Sequence, residues 1–75
     1  MNNSEAPTKL YYEDKLGHWD IIRPVGDRDI VIYRILNDGK RREKHIRCMS
    51  HKHADIIMLA MQKSINKGIQ PKELS

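Results

Sequence analysis

The stretch from Gly39 to His53, GKRREKHIRCMSHKH, gathers six Lys or Arg residues, three His and the only Cys of the chain into fifteen positions. Three kinds of chemistry draw on such residues. Cations bind phosphate, His and thiolate hold metals, and a Cys or Ser beside a base makes a nucleophile. The choice among them depends on where each side chain points, and so on the elements that carry the stretch.

Asp29 to Leu36, DIVIYRIL, is the clearest strand, because six of its eight residues are Ile, Val, Tyr or Leu and both faces are apolar. Asn37-Asp38-Gly39 supplies a hairpin turn, and Lys40 to Met49 returns as the partner strand. Ser50 is a good N-cap for a helix from about His51 to Lys67, with Gly68 and then Pro71 stopping it. Upstream, His18 to Val25 has strand composition, with Pro24 placing that end at a sheet edge. Lys9 to Asp14, KLYYED, is either a further strand or an arm laid on the domain. Lys15-Leu16-Gly17 and Gly26-Asp27 read as turns. The expected fold is α+β: an antiparallel sheet of three strands, or four if residues 9–14 pair, packed on one C-terminal helix in the order β-β-β-α. Residues 1–8 are expected as a flexible tail, 9–68 as the single domain and 69–75 as a C-terminal tail.

Two hairpin registers are open. A two-residue loop pairs Val31 with Ile46, and a three-residue loop pairs Ile30 with Ile46; the two invert the faces of the central strand. For the third strand they agree that Ile46 and Cys48 point inward while Arg41, Glu43, His45 and Arg47 point outward. Arg42 and Lys44 fall on the core side, near the hairpin tip, where long stems carry charge back to water.

Those directions weigh against metal chemistry. Strand alternation sends His45 and Cys48 to opposite faces, and His51 and His53 lie about 200° apart around a helix. A buried reduced Cys and solvated His residues are expected, with no metal and no cofactor. Catalysis has less support still. The chain holds no glycine-rich phosphate loop and no nucleophile elbow, and nothing brings Asp20, His45 and Ser50 together as a triad. Asp27 and Asp29 are explained by turn chemistry.

Nucleic-acid binding has more behind it. The net charge is +4, and it is segregated: residues 1–39 carry five Lys/Arg and seven Asp/Glu, residues 40–75 nine Lys/Arg and three Asp/Glu. Such asymmetry points to a polyanionic or acidic partner. A sheet backed by one helix leaves its other face free, and the expectation is that this face presents Arg23, Arg34, Arg41, His45 and Arg47, with Arg42, Lys44 and Lys52 adding phosphate contacts. Double-stranded DNA is the first expected partner.

The helix suggests a second kind of partner. A one-sided helix buries Ala54, Ile57, Met58, Met61 and Ile65, but Ile56, Leu59 and Ala60 widen the apolar stripe. Either the Leu10–Tyr12 segment covers that flank, or Ile56, Leu59, Ala60 and Lys63 form an interface with a second copy or another protein. One Cys, no secretory signal and no apolar run of about 20 residues fit a soluble, cytoplasmic protein.

From Gly17 to about Ser64 the chain resembles the small N-terminal DNA-binding domains of phage and transposon tyrosine integrases, and the related plant ethylene-response-factor domain. The matching residues are Gly17-His18-Trp19, Asp38-Gly39-Lys40-Arg41-Arg42 and Ser50-His51-Lys52-His53-Ala54. The resemblance implies that the exposed sheet face enters the DNA major groove, with Arg23, Arg34, Arg41 and Arg47 contacting bases or phosphates. Glu43 on the outward face and Asp20 beside Trp19 depart from the pattern. With no recombinase catalytic domain among these residues, it implies an accessory factor of a phage or other mobile element. The same size class suits phage-encoded inhibitors of host machinery, anti-CRISPR proteins among them, and such an inhibitor is the alternative expectation.

Overall fold

In the computed structural model, which describes residues 6–75, four antiparallel strands precede one long helix: β1 Lys9–Asp14, β2 Gly17–Ile22, β3 Asp29–Leu36, β4 Arg41–Arg47 and α1 His51–Asn66, followed by a short 3₁₀ turn at Lys72–Leu74. The strands form one sheet in chain order, β1-β2-β3-β4, so β1 and β4 are its two edges. The segment KLYYED is therefore a strand, paired with β2 along its length from Lys9↔Ile22 to Asp14↔Gly17. No helix among the described residues is long and apolar enough to cross a membrane.

Turn chemistry selects the register. Asn37 and Asp38 keep negative φ while Gly39 takes φ 92°. Gly39 N donates to Leu36 O at 2.9 Å and Leu36 N to Lys40 O at 2.9 Å. That is the three-residue loop, a tight turn closed by a left-handed glycine, rather than a two-residue loop needing positive φ at both central residues. Ile30 accordingly pairs with Ile46, Ile32 with Lys44 and Arg34 with Arg42. At the sheet's same end, Asn37 ties the two hairpin turns together, its N donating to Leu16 O at 2.8 Å and its Nδ2 to Lys15 O at 2.9 Å.

Gly17, the first residue of β2, is needed for a different reason. Its φ is 154°, and a Cβ there would stand 2.1 Å from the carbonyl oxygen of Ile35. The β2–β3 approach is too close for any side chain at this position.

The core lies on one side of the sheet. Trp19 and Ile21 of β2, Ile30 and Ile32 of β3 and Cys48 after β4 are buried with Ala54, Met58 and Met61 of α1. Leu10 and Tyr12 of β1, with Ile57 and Ile65 of α1, pack against this cluster from the margins. Ser50 caps α1 as its sequence implies, its Oγ accepting from His53 N at 3.0 Å. At the other end Gly68 N donates to Ile65 O and Ile69 N to Ser64 O, which turns the chain sharply back. Residues 69–75 then return to the core side and do not form a tail. Pro71 is fully buried and Leu74 nearly so, and Lys44 Nζ donates to Glu73 O at 3.2 Å. At the N-terminus Thr8 O accepts from Arg23 N at 2.9 Å, and Ala6 packs on the core. Of the expected flexible tail, residues 1–5 lie outside the described residues.

Candidate nucleic-acid interface

Because paired residues in antiparallel strands point to the same side, the register divides the basic residues between two faces. The covered face holds Trp19, Ile21, Ile30, Ile32 and, by the same alternation, Arg23, Arg34, Arg42 and Lys44. The uncovered face is built from cross-strand rows: Lys9–Ile22–Val31–His45, Tyr11–Asp20–Tyr33–Glu43, Glu13–His18–Ile35–Arg41, and Asp29–Arg47.

This corrects the expectation for two arginines. Arg23 is buried, only 8% exposed, beyond the end of β2. It clamps the sheet to the helix: Nε donates to Asp27 O at 2.9 Å, Nη1 to the Asp55 carboxylate and Nη2 to His51 O at 3.4 Å. Arg34 faces Trp19 and stacks on it, its guanidinium carbon 3.6 Å from the ring centroid, while donating to both carboxylate oxygens of Asp14. The long apolar stems and planar heads of both residues are used inside the fold. Neither reaches the uncovered face.

The remaining basic residues keep their expected sides. Arg41, His45 and Arg47 lie on the uncovered face, and Arg42 and Lys44 reach solvent from the covered one. Since β4 is an edge strand, all five border the same rim, with Lys40 at the turn beside them. Arg41, Arg42 and Lys40 form no ion pair among the described residues. Arg47 is held by Asp29, and His45 by Glu43. Lys52, in the first turn of α1, is exposed just past that end of β4.

The uncovered face is less basic than expected. It carries three Lys or Arg (Lys9, Arg41, Arg47) against four acids (Glu13, Asp20, Asp29, Glu43). Between the charges run half-buried Ile22, Val31 and Ile35, and three rings, Tyr11, His18 and Tyr33, that strand pairing brings onto one face. Tyr11, 52% exposed, stacks on His18 with centroids 5.1 Å apart and planes inclined by 28°. Tyr33 lies two strands away, with Arg41 above it at 5.9 Å. The Tyr11 hydroxyl is held above its ordinary pKa, first by desolvation and then by Glu13 and Asp20 beside it. These rings become visible as a group only once β1 is known to pair, since Tyr11 otherwise sits on an arm.

The other candidate residues do not converge. His45 is on the uncovered face, Cys48 is buried on the covered one, and His53 accepts from Met49 N through Nδ1 at 3.2 Å. Burial is the main cause that pushes the Cys48 thiol up from its ordinary pKa. Among the described residues no three His, Cys, Asp or Glu side chains gather at one point. On α1, Ile56, Ala60 and Lys63 form one exposed line while Leu59 is half-buried. With β1 against the helix flank, the exposed apolar surface there reduces to Ile56, 55% exposed, and the small Ala60. Comparison with family models, with curated proteins and with solved structures gave no match for this chain.

Proposed function

We propose that the chain is a small, non-enzymatic nucleic-acid-binding domain, of the kind that phages and mobile elements use as accessory factors. One observation carries the reading: the exposed cations concentrate along β4. Lys40, Arg41, Arg42, Lys44 and Arg47 border a seven-residue edge about 23 Å long, on which Glu43 is the one acid. Alternation places these side chains on both sides of one rim, so a phosphate backbone running along the edge meets cations from above and below. Contacts of this kind position a nucleic acid without reading its sequence. Arg41 and Arg47, which lean over the uncovered face, are the residues placed to reach further toward bases.

The test is fluorescence anisotropy with labelled single- and double-stranded oligonucleotides across a salt series. If about five phosphates are neutralised, log K falls against log[salt] with a slope of roughly −3 to −5, depending on strand form. Arg42→Ala and Lys44→Ala each reduce that slope by about 0.7–0.9. No measurable binding to either form at low salt would remove the reading.

A second reading keeps the edge and exchanges the partner. Among the described residues β4 has no strand on its outer side, so its outward backbone groups are available to an incoming strand. An inhibitor of a host protein, of the anti-CRISPR kind, would use the same cations against an acidic surface. Failure of the oligonucleotide experiment promotes this alternative.

A further inference from the structure

We infer that the uncovered face of the sheet is a stacking platform for a single-stranded nucleic acid, with bases seated on Tyr11 and Tyr33 and the phosphate chain following the β4 rim. This rests on the nucleic-acid reading and names the form of the ligand.

The charge distribution separates the two strand forms. A duplex lowered onto this face would bring phosphates over Glu13, Asp20, Asp29 and Glu43, which outnumber the face's Lys and Arg. Repulsion there works against it. A single strand has another option, because its bases can turn inward while its phosphates stay at the basic edge. The centre of the face suits bases. Tyr11 and Tyr33 occupy one cross-strand row, separated by Asp20 of β2, which puts the rings about 10 Å apart at ordinary strand spacing. Four-stranded sheets with aromatic residues on an open face seat two or three bases in this way. Ile22, Val31 and Ile35 supply apolar ground between the rings.

Two details give the platform a direction. Arg41 already lies over Tyr33, so a base entering there meets a ring on one side and a guanidinium at its edge. Among the described residues Asp20, between the rings, has one charged neighbour, His18 Nε2 at 3.5 Å, and its carboxylate keeps capacity to accept from an exocyclic amino group. Cytosine and adenine present such donors, whereas thymine does not. The seat nearest Asp20 therefore favours an amino-bearing base.

The experiment compares labelled oligo-dC, oligo-dT and a mixed-sequence duplex by anisotropy, at matched salt concentrations across a series. It uses the intact chain and the variants Tyr11→Leu, Tyr33→Leu and Tyr33→Phe, whose folding is confirmed by circular dichroism. The expected result is single-strand binding at least about ten-fold tighter than duplex binding. Each Leu variant should lose roughly five-fold or more for single strands, the range that removing one stacked base gives, and Tyr33→Phe should retain affinity. The salt slope should not change in these variants, and Asp20→Asn should narrow the preference of dC over dT. Equal binding of both forms, or Leu variants that bind as the parent does, would overturn the platform while leaving the nucleic-acid reading intact. No binding to any oligonucleotide would overturn both.

Discussion

Arg34 lies 3.6 Å above the ring of Trp19 and at the same time donates to Asp14, so one guanidinium joins three strands on the covered side of the sheet. The stack closes over a ring that is almost fully buried, and Asp14 also accepts from Leu16 N and Gly17 N in the β1–β2 turn. Loss of Arg34 removes a desolvated cation–π contact and leaves the Asp14 carboxylate without its guanidinium. Arg34→Ala should cost about 2 kcal/mol in urea unfolding. Oligonucleotide affinity of the folded variant should stay within two-fold of the parent, which is roughly 0.4 kcal/mol. A large affinity loss with unchanged stability would return Arg34 to the interface.

Arg23 and Asp55 join the end of β2 to the first turns of α1. Arg23 is buried while Asp55 is half-exposed, so removing the cation and removing the acid are unequal changes. Arg23→Ala opens a gap and strips Asp27 O and the carboxylate of their donor. About 2–3 kcal/mol is expected, below the range for pairs buried on both sides. Asp55→Asn keeps an acceptor and should cost less. Equal effects from both would show that the pair's charge, rather than the packing of Arg23, dominates.

Gly17 is the glycine that the close β2–β3 approach demands. A methyl group there would meet Ile35 O and the Cα of Leu36, both backbone atoms that cannot swing aside. Gly17→Ala should destabilise by several kcal/mol, on the order of 3 or more, or prevent folding. Gly26→Ala, at φ 78° with open space around the added atom, should cost only about 1 kcal/mol. Thermal midpoints of the two variants, measured side by side, separate steric exclusion from backbone preference.

Asp27 gives the fold a sensitivity to acid. Its carboxylate accepts from Asp29 N at 3.2 Å and Arg28 N at 2.7 Å, and these bonds, that to Asp29 foremost, hold its pKa below the ordinary carboxylate value. A lowered folded-state pKa means that the contribution is complete above the unfolded-state value. It is lost as pH falls through the folded-state one. Asp27→Asn keeps an acceptor without a titrating proton. The stability difference between parent and variant should therefore be constant from pH 5 to 7, about one unit or more above the ordinary carboxylate value, and change only below about pH 4. A difference that changed between pH 6 and 7 would assign the effect to another group.

Much of the fold was legible because local chemistry and pattern agreed. Ser50, Gly68 and Pro71 marked the ends of α1, and the β-branched run in residues 29–36 marked β3. The apolar positions Ala54, Met58 and Met61 identified the buried side of the helix. For β4, Ile46 and Cys48 sufficed to set direction, since Ile46 is the one apolar residue of a strand that is otherwise charged or carries His, and Cys48 follows it two positions on, just past the strand's end. The fate of Arg41, Arg42, Lys44, His45 and Arg47 followed from that one strand.

What the sequence could not supply was the face of β3. With apolar residues on both sides, periodicity gives Ile30–Ile32 and Val31–Tyr33 equal claim to the core. The choice fell to the hairpin: a three-residue loop closed by Gly39 aligned Ile30 with Ile46 and so carried Arg34 inward. Arg23 followed the same parity through Trp19 and Ile21 of β2. The pairing of β1 and the return of Pro71 and Leu74 also depended on contacts between segments far apart in the chain. Sequence alone therefore determined which residues are basic, where β2, β3, β4 and the helix lie and which side of β4 meets solvent. Only the tertiary structure divided the arginines between the clamp inside the fold and the rim outside it, because a one-residue difference in register reverses every side chain on a strand.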